Sequence, residues 1–597
     1  MMIQRRRMIL LFAALTAWTI IVIVRLGQIQ LSRHDEYVRR AGRQQERTFA
    51  LAPVRGSIFD AQGRLLAESV VSHSLYADPQ SIEEVSTVVE RIGSIEGLGV
   101  REDVLRKRLG RGGEFAWLAR QVDDELYEKV MNLGLPGIYS VEEHRRRYPN
   151  ERLLSSVLGI VGIDGEGLAG VEHSLDKFVR GRPGVVTLLR DARRGMYMVS
   201  SDTGDGPVDG HNLVLTIDEV IQYITEHALE QAVEGSGAKS GTAIVVNPHN
   251  GAILAMASFP DFDPNAYGSY PQSAWRNRVV QDVYEPGSTF KIVTAAAAIE
   301  EGVVTPSELI DCGDGSIVLG PKTVREHGGH AYGVISFEDV LVESSNVGTI
   351  RVGLRLGPER LYDYSRRFGF GERTGLELPG ESVGILRAVD QWSGMSTGVI
   401  SIGQEIAATP LQVVMATAVI ANGGMRVSPR IVDRVVDEDG QTVFQPPPTQ
   451  PIRVVSEKTA AVMNEMLKAV VFRGTGGKAS LPEYVVAGKT GTAQKAGPGG
   501  YLPNETIASF TGYVPADRPR LAILVAIDEP RTSQYGGEIA APVFREIAER
   551  SLRYMRVEPA FPRRVIMPPQ VVLRNISAAD GEVLTAERRP EKGEVLQ

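Results

Sequence analysis

Ser288 and Lys291 are three residues apart, a spacing that places two side chains on one face of a helix, one turn apart. A serine hydroxyl is a weak nucleophile that needs a base within hydrogen-bond reach, and a lysine can be that base only when it is neutral. The alanine-rich run from Ser288 to Glu301 predicts a helix ended by Gly302. Ser288 would then lie in its first turn, where free N–H groups favour developing negative charge.

A second motif, Ser344-Ser345-Asn346, follows 56 residues after Ser288 (344 − 288). Ser336 with two acidic residues after it predicts the start of a helix that would present Ser344 and Asn346 near its end. A second hydroxyl can relay a proton to a leaving amine, and a carboxamide can both donate to and accept from a peptide backbone. Alone, such a triplet is more typical of a turn or a helix cap.

A third motif, Lys489-Thr490-Gly491-Thr492, follows a β-rich run at 484–486, and 507–514 and 521–527 are further strand candidates. Gly491 would let a substrate backbone approach its strand closely. Burial and a nearby cation both lower a lysine pKa, and Lys489 could be the cation that lowers the pKa of Lys291. Gly488-Lys489-Thr490 does not complete a phosphate-binding loop, because Glu483 occupies the position where that loop needs glycine.

The S-x-x-K spacing alone does not identify a catalytic serine. Ser174 with Lys177 and Ser236 with Lys239 have the same spacing. The S-x-N and K-T-G patterns, in contrast, each occur once in the chain, downstream of Ser288 and in that order. An S-x-x-K, an S-x-N and a K-T-G in this order are the signature of the penicillin-recognising serine acyltransferases.

From Arg55 to about Phe544 the chain resembles the class B penicillin-binding proteins, most closely the division-specific FtsI type and next the elongation-specific type. The resemblance rests on short boxes along the whole of that range: Arg55-Gly56-Ser57-Ile58-Phe59-Asp60, Arg147-Tyr148-Pro149, Gly165 to Glu172, Leu215-Thr216-Ile217-Asp218, Ile253 to Ser258, Gly403-Gln404-Glu405, Thr409-Pro410-Leu411-Gln412 and Ala421-Asn422-Gly423-Gly424.

The resemblance implies a role for each residue of the three motifs. Ser288 would be the nucleophile and Lys291 its base, with Ser344 in proton transfer. Asn346, Lys489, Thr490, Gly491 and Thr492 would bind substrate, with Lys489 and Thr490 on its carboxylate. The backbone N–H groups of Ser288 and Thr492 would form the oxyanion hole.

The reaction implied is peptidoglycan D,D-transpeptidation in septal wall synthesis, with attack on a D-Ala-D-Ala stem peptide, release of D-alanine and transfer of the acyl group to a neighbouring amine. Elongation-specific transpeptidation, a D,D-carboxypeptidase or β-lactamase using the same serine, and a non-enzymatic sensor or scaffold are the alternatives. The expected partners are stem peptides, β-lactams as inhibitors, an FtsW-like glycosyltransferase, other divisome proteins and the membrane. No cofactor, metal or nucleic acid is expected.

Met8 to Val24 is an apolar run of 17 residues (24 − 8 + 1), at the short end of what spans a bilayer. Three arginines precede it, at positions 5–7, which predicts a cytoplasmic N-terminus and a catalytic domain outside the cytoplasmic membrane. Arg33, Arg39 and Arg40 beyond the run weaken that orientation signal. No A-x-A-like site follows, so an uncleaved anchor is favoured over a cleaved signal peptide.

Composition is compatible with an exported enzyme of several domains. The 597 residues are 43% hydrophobic and carry a net charge of −8, which gives no indication of nucleic-acid binding. Cys312 is the single cysteine, so an intrachain disulfide is excluded. His327 and His330 have loose metal-ligand spacing, but the two glycines between them favour a loop.

The predicted fold is a multidomain α+β protein with a single N-terminal transmembrane helix. Residues 1–31 are the cytoplasmic stub and anchor, 32–210 a linker and a β-rich pedestal or dimerisation domain, 211–555 the transpeptidase domain, and 556–597 a loosely ordered tail. For the transpeptidase domain, the resemblance implies an antiparallel sheet flanked by helices and an all-α subdomain carrying Ser288. The periodicity itself predicts a helix over 217–232 and a hairpin of Ala243–Val246 with Ala252–Ala257.

Overall fold

The computed structural model describes residues 2–37, 46–110, 113, 115–190, 196–198, 206–447, 450–497 and 500–561. The chain begins with helix α1 (Met2–Gly27), continued by a π-helical turn over Gln28–Ser32. None of the residues of α1 is buried, and the helix is long and apolar enough to cross a membrane. At 1.5 Å per residue it is about 39 Å long, against about 30 Å for a bilayer's hydrocarbon core.

The pedestal domain that follows is built mainly on long strands. Its strands are β1 (Glu46–Leu51), β2 (Ile58–Phe59), β3 (Leu65–Ala77), β4 (Ala116–Val122), β5 (Ile138–Arg147), β6 (Gly184–Arg190) and β7 (Met196–Met198). Its helices are α2 (Val85–Gly93), α3 (Glu102–Leu109), α4 (Asp124–Met131), α5 (Ser155–Leu158), α6 (Gly170–Ser174) and α7 (Asp176–Val179).

A mixed seven-stranded sheet connects the pedestal with the transpeptidase domain. The two-residue strand β2 pairs antiparallel with β3 and parallel with β8 (Asn212–Leu215). Just before β2, the buried guanidinium of Arg55 donates to Glu172 at 2.7 Å and to Asp176 at 2.5 Å. A Cβ atom on Gly56 would lie 1.9 Å from the carbonyl oxygen of His211, so a glycine lets these two chain segments meet. Arg55 and Gly56, which begin the first box, therefore lie where the pedestal contacts the start of the transpeptidase domain.

The transpeptidase domain contains the remaining elements. The helices are α8 (Glu219–Ser236), α9 (Arg278–Gln281), α10 (Lys291–Glu300), α11 (Phe337–Val342), α12 (Asn346–Leu356), α13 (Pro358–Arg367), α14 (Ser396–Ser401), α15 (Pro410–Ala421), α16 (Glu457–Arg473) and α17 (Gly536–Tyr554). The strands are β9 (Ser240–Val246), β10 (Ile253–Phe259), β11 (Leu309–Asp311), β12 (Ser316–Leu319), β13 (Lys322–Arg325), β14 (Val334–Ser336), β15 (Met425–Arg426), β16 (Val432–Val436), β17 (Thr442–Phe444), β18 (Ile452–Arg453), β19 (Ala487–Gly497), β20 (Gly500–Val514) and β21 (Leu521–Asp528). Short 3-10 helices lie at Pro79–Ser81 in the pedestal and, in the transpeptidase domain, at Pro264–Ser269, Gln272–Trp275, Gly287–Phe290, His327–Gly329, Val389–Gln391 and Gly477–Ala479.

The central sheet of this domain is antiparallel throughout, in the order β10-β9-β21-β20-β19. Helices α8 and α17 pack against it, as does α15, and β19 is left as an edge strand. The sequences of β9 and β21 are apolar runs without alternation, because β9 and nearly all of β21 are buried on both faces of the sheet. The predicted hairpin is confirmed as β9 and β10, and the predicted fold class is confirmed with it.

Local sequence signals set the limits of several of these helices. Asp218 caps α8 by accepting from the N–H groups of Val220 and Ile221, at 3.0 and 3.3 Å, and Gly237 ends the helix at a φ of 61°. Thr409 and Gln412 form a reciprocal capping box at the start of α15. Asp123 caps α4 in the same way, accepting from the N–H of Leu126 at 2.9 Å.

Two of the predicted segments lie partly outside the residues that the structure describes. Of the predicted linker that begins at residue 32, residues 38–45 lie outside the described part of the chain. Of the predicted tail 556–597, residues 562–597 lie outside it. The β-rich run at 484–486 is not itself a strand, because β19 begins one residue later, at Ala487.

Candidate active site

Ser288 lies in a short 3-10 turn, Gly287–Phe290, that leads directly into α10. The helix predicted to begin at Ser288 therefore starts as 3-10 and becomes α-helical at Lys291. Gly287 has a φ of 54° and donates its N–H to the carbonyl of Gly403 at 3.0 Å. A Cβ atom on Gly403 would lie 2.2 Å from the carbonyl oxygen of Gly287, so a glycine there lets the two segments meet.

Glu285 supports the same turn from its other side. Its carboxylate accepts from the backbone N–H of Glu405 at 3.0 Å and from the hydroxyl of Tyr501 at 2.9 Å. Burial raises the pKa of Glu285, and burial together with the neighbouring Glu285 raises that of Tyr501. The Gly403-Gln404-Glu405 box and the β19–β20 hairpin are thereby connected to the residues before Ser288.

Lys291 is fully buried, with its amine held by the Ser344–Asn346 segment. Nζ lies 2.7 Å from the carbonyl oxygen of Ser344, 3.4 Å from its hydroxyl and 2.9 Å from Oδ1 of Asn346. Burial lowers the pKa of Lys291 to about 7, although the charges of Glu326 and Cys312 act in the opposite direction. A lysine with this pKa is neutral part of the time near pH 7 and can accept a proton.

The segment 344–346 is not the end of a helix, and that prediction is corrected here. Ser336 does cap α11, accepting from the N–H of Asp339 at 3.1 Å, but this helix ends at Val342. Ser344 has a φ of 60°, a left-handed conformation that costs a non-glycine residue about 1 kcal/mol. Asn346 is the first residue of the next helix, α12. Tertiary contacts, described below, hold this turn.

The third motif lies on the edge strand β19. Lys489 is fully buried, and burial together with the charge of Lys291 places its pKa well below the ordinary value. The electrostatic coupling between the two lysines is therefore present, but it lowers the pKa of Lys489, while burial lowers that of Lys291. Thr490 is held by a 2.8 Å hydrogen bond between its hydroxyl and that of Thr475.

Packing beneath the site requires a glycine at position 491. A Cβ atom at this position would lie 2.3 Å from Oγ of Ser509 on the neighbouring strand and 2.9 Å from a methyl carbon of Thr289. Thr289 belongs to the turn that carries Ser288. The absence of a side chain at 491 thus lets the turn that carries Ser288 lie directly against the edge strand.

A cavity of about 720 Å³ lies where the three motifs meet. Five of the eight predicted site residues line it: Ser288, Ser344, Asn346, Thr490 and Thr492. Lys291 and Lys489 lie buried behind these residues, and Gly491 packs below them. The other two S-x-x-K lysines lie elsewhere, with Lys177 over the ring of Phe178 and Lys239 paired with Glu529.

Several residues of the site were missed by sequence reasoning. Tyr501, Glu326, His327 and Tyr535 line the cavity, and the rings of His327 and Tyr535 pack edge to face at 4.9 Å. The only signal near Glu326 was the His-Gly-Gly-His loop that follows it. The spacing of the two histidines suggests a metal site or a loop. In the structure His327–Gly329 forms one turn of 3-10 helix, and His327 lines the cavity.

Comparison with protein families gives two matches that together cover most of the folded chain. The family described as the penicillin binding protein transpeptidase domain matches residues 241–549. The family described as the penicillin-binding protein dimerisation domain matches residues 50–215. The two matches fall on the transpeptidase domain and the pedestal.

Curated relatives are similar to this chain over nearly its whole length. Stage V sporulation protein D of Bacillus subtilis is 34% identical over 564 residues, which cover 93% of this chain and 86% of the relative. The peptidoglycan D,D-transpeptidase FtsI of Escherichia coli is 34% identical over 545 residues, 90% of this chain and 89% of the relative. The penicillin-binding protein PbpB of Mycolicibacterium smegmatis is 35% identical, over 90% and 88% respectively.

Solved structures give the same result. Penicillin-binding protein 3 of Mycobacterium tuberculosis in complex with aztreonam aligns with a TM-score of 0.68 and 32% identity, over 86% of this chain and 99% of that one. Its complex with ampicillin gives the same TM-score and identity, over 87% and 99%. A peptidoglycan synthetase from Bifidobacterium adolescentis aligns with a TM-score of 0.70 and 27% identity, over 87% and 98%.

Proposed function

This chain belongs to the class B penicillin-binding proteins, and from that premise we propose that it is a peptidoglycan D,D-transpeptidase that uses Ser288 as its nucleophile. Oγ of Ser288 attacks the carbonyl carbon between the two D-alanines of a stem peptide, and Lys291 accepts its proton. The N–H groups of Ser288 and Thr492 stabilise the oxyanion, since the 3-10 turn and β19 lie side by side.

Collapse of that intermediate breaks the peptide bond and releases D-alanine. The proton on Lys291 returns to the leaving amine through the hydroxyl of Ser344, which lies 3.4 Å from Nζ. An amine of a second stem peptide then attacks the carbonyl carbon of the acyl-enzyme. The new amide forms as the ester bond to Ser288 breaks, and the proton lost by the amine passes to Oγ of Ser288 by way of Lys291. The cross-link is the product.

The remaining motif residues hold the donor peptide. Asn346 presents its amide to the peptide backbone, and Thr490 and Thr492 line the cavity from the edge strand. The terminal carboxylate binds beside Thr490 and Lys489. Because burial and the charge of Lys291 hold the pKa of Lys489 low, the negative charge of an arriving carboxylate favours the charged ammonium.

The observation that carries this proposal is the environment of Lys291. A fully buried amine with a pKa of about 7, in contact with Ser344 and Asn346 and one turn from Ser288, is a base suited to neutral pH. The 720 Å³ cavity in front of it is large enough for a dipeptide terminus.

The test is covalent labelling. A fluorescent penicillin should acylate the full-length protein, peptide mapping should place the adduct on Ser288, and the adduct should persist for minutes or longer. Labelling of another serine would refute the assignment. Rapid turnover of a chromogenic β-lactam would support a hydrolase instead.

For the cell, we propose a single-pass protein of the cytoplasmic membrane with its N-terminus inside, working in septal wall synthesis. Arg5, Arg6 and Arg7 before the apolar run support this orientation. The chain would supply transpeptidation to a multi-span FtsW-like glycosyltransferase among other divisome proteins. Depletion in the native cell should give filaments, whereas rounded cells would indicate the elongation role.

The domain limits remain part of the proposal. We place them after residues 31, 210 and 555, which puts β8 at the start of the transpeptidase domain and α17 at its end. The pairing of β8 with β16 supports the second limit, whereas the pairing of β8 with β2 joins the two domains in one sheet.

A further inference from the structure

Glu326 is a buried carboxylate that belongs to none of the three motifs. It follows β13 and is 5% exposed. Its Oε1 accepts from the hydroxyl of Ser345 at 2.5 Å and from the N–H of Val347 at 3.1 Å. Its Oε2 accepts from the N–H of Asn346 at 2.6 Å. Three consecutive residues at the start of α12 thus donate to one carboxylate.

The same short segment is held from its other side by the base. Lys291 donates to the carbonyl oxygens of Ser344 and Ser345, at 2.7 and 3.2 Å, and to Oδ1 of Asn346. The Asn346 amide also donates to the carbonyl of Arg325 at 3.0 Å. Glu326 itself is fixed by its N–H, which donates to Gly315 at 2.8 Å. Residues 344–346 therefore lie between a cation and an anion.

We propose that Glu326 is a positioning residue for acylation, holding the Ser344–Asn346 turn so that the Ser344 hydroxyl lies beside Lys291 and Ser344 and Asn346 line the cavity that Ser288 also lines. A carboxylate suits this place because it accepts several hydrogen bonds and lies at the positive end of α12. Without it, buried N–H groups lose their acceptor, and the left-handed Ser344 loses a support. The inference rests on the proposed acylation of Ser288.

Glu326 should also have an effect on the pKa of Lys291, which a residue that only caps a helix would lack. The titratable and charged groups facing Lys291 are Glu326, Cys312, His327 and Lys489. Of these, Glu326 is the carboxylate, and its negative charge favours the protonated form of Lys291. Replacing it by a neutral group therefore lowers the pKa of Lys291 and moves the acid limb of acylation to lower pH.

The experiment compares Glu326→Gln, Glu326→Asp and wild type as full-length protein, using the second-order rate of acylation by a fluorescent penicillin between pH 5 and 9. Glu326→Gln should be at least about tenfold slower on the plateau, since glutamine accepts through one oxygen only. Its acid midpoint should fall by about half a pH unit or more. Glu326→Asp keeps the charge but has a shorter reach, so its rate should be intermediate and its midpoint that of wild type.

Glu308→Gln is the matched control, because Glu308 pairs with Arg355 at 2.7 Å near the far end of the same helix. It should stay within about twofold of wild type at every pH. A Glu326→Gln rate equal to wild type would overturn the inference, as would a reduced rate with an unmoved midpoint. If Glu326→Gln does not fold, a wild-type rate for Glu326→Asp would overturn it. Absence of acylation in wild type would instead contradict the proposed function.

Discussion

Lys291 Nζ lies 2.7 Å from the carbonyl oxygen of Ser344 and 3.4 Å from its hydroxyl. This contact joins the helix that follows the nucleophile to a turn 53 residues further along the chain. It also places the base beside the hydroxyl that would pass its proton to the leaving group. The reaction proposed here depends on that arrangement, and the predictions below test it.

The first prediction concerns pH. Acylation needs neutral Lys291, whose pKa is lowered to about 7, so the rate should rise with pH through that value. The neutral fraction, and with it the rate, should be about tenfold lower at pH 6 than at pH 8. The measurement is the acylation rate under pseudo-first-order conditions. A rate that keeps rising to pH 10 would show a base with an ordinary lysine pKa.

The second prediction separates the lysines. Lys291→Ala should slow acylation by about 10²- to 10⁴-fold, because the base is lost. Lys489→Ala should slow it less and should also weaken binding of substrates that carry the terminal carboxylate. Lys177→Ala and Lys239→Ala should stay within about threefold of wild type, since both lysines lie away from the cavity. Equal damage from Lys239→Ala would mean that the wrong motif had been chosen.

Gly491→Ala should harm both stability and acylation. The new methyl group would overlap Ser509 Oγ and Thr289, so β19 and the nucleophile turn must separate. We expect a loss of about 1–3 kcal/mol in unfolding free energy and a slower acylation rate. Gly235→Ala is the control, because its Cβ would meet open space and alanine favours a helix. Wild-type thermal stability for Gly491→Ala would contradict the packing argument.

Substitutions of Ser344 can test its backbone conformation separately from the role of its hydroxyl. Ser344→Gly and Ser344→Ala both remove the hydroxyl, so both should slow acylation by at least about tenfold. Only glycine adopts a φ of 60° without strain, so Ser344→Gly should be the more stable of the two by about 1 kcal/mol. Thermal unfolding decides the comparison. Equal stability would show that the turn relaxes when the hydroxyl is lost.

The membrane helix should do more than tether the enzyme. Beyond the apolar run, Arg25, Leu26, Ile29 and Leu31 extend a face that a simple anchor does not need, and α1 has no partner among the described residues. Replacing Met8–Val24 with an unrelated apolar span of equal length should preserve insertion and penicillin labelling but fail to support division. Full complementation at native expression would reduce the helix to a passive anchor.

The features that the sequence predicted are those set by residues close together in the chain. The helix cap at Ser336 and the hairpin 243–257 depend on residues a few positions apart, and each was found where the pattern indicated. The turn at Ser344 was not predictable in this way, because its left-handed conformation is held by contacts with Lys291 and, through Ser345 and Asn346, with Glu326. Helix periodicity carries no information about such contacts.

The sequence by itself determined the family and the three motifs, because side-chain type and order are sequence properties, and it predicted the chemistry of Ser288, Lys291 and their partners. The tertiary structure decided the pKa values of those groups and the packing around them. Burial by segments distant in the chain lowers the pKa of Lys291, and packing against Thr289 makes Gly491 necessary. Glu326 and Tyr501 entered the site only through folding, since burial and hydrogen-bond partners depend on which distant segments meet.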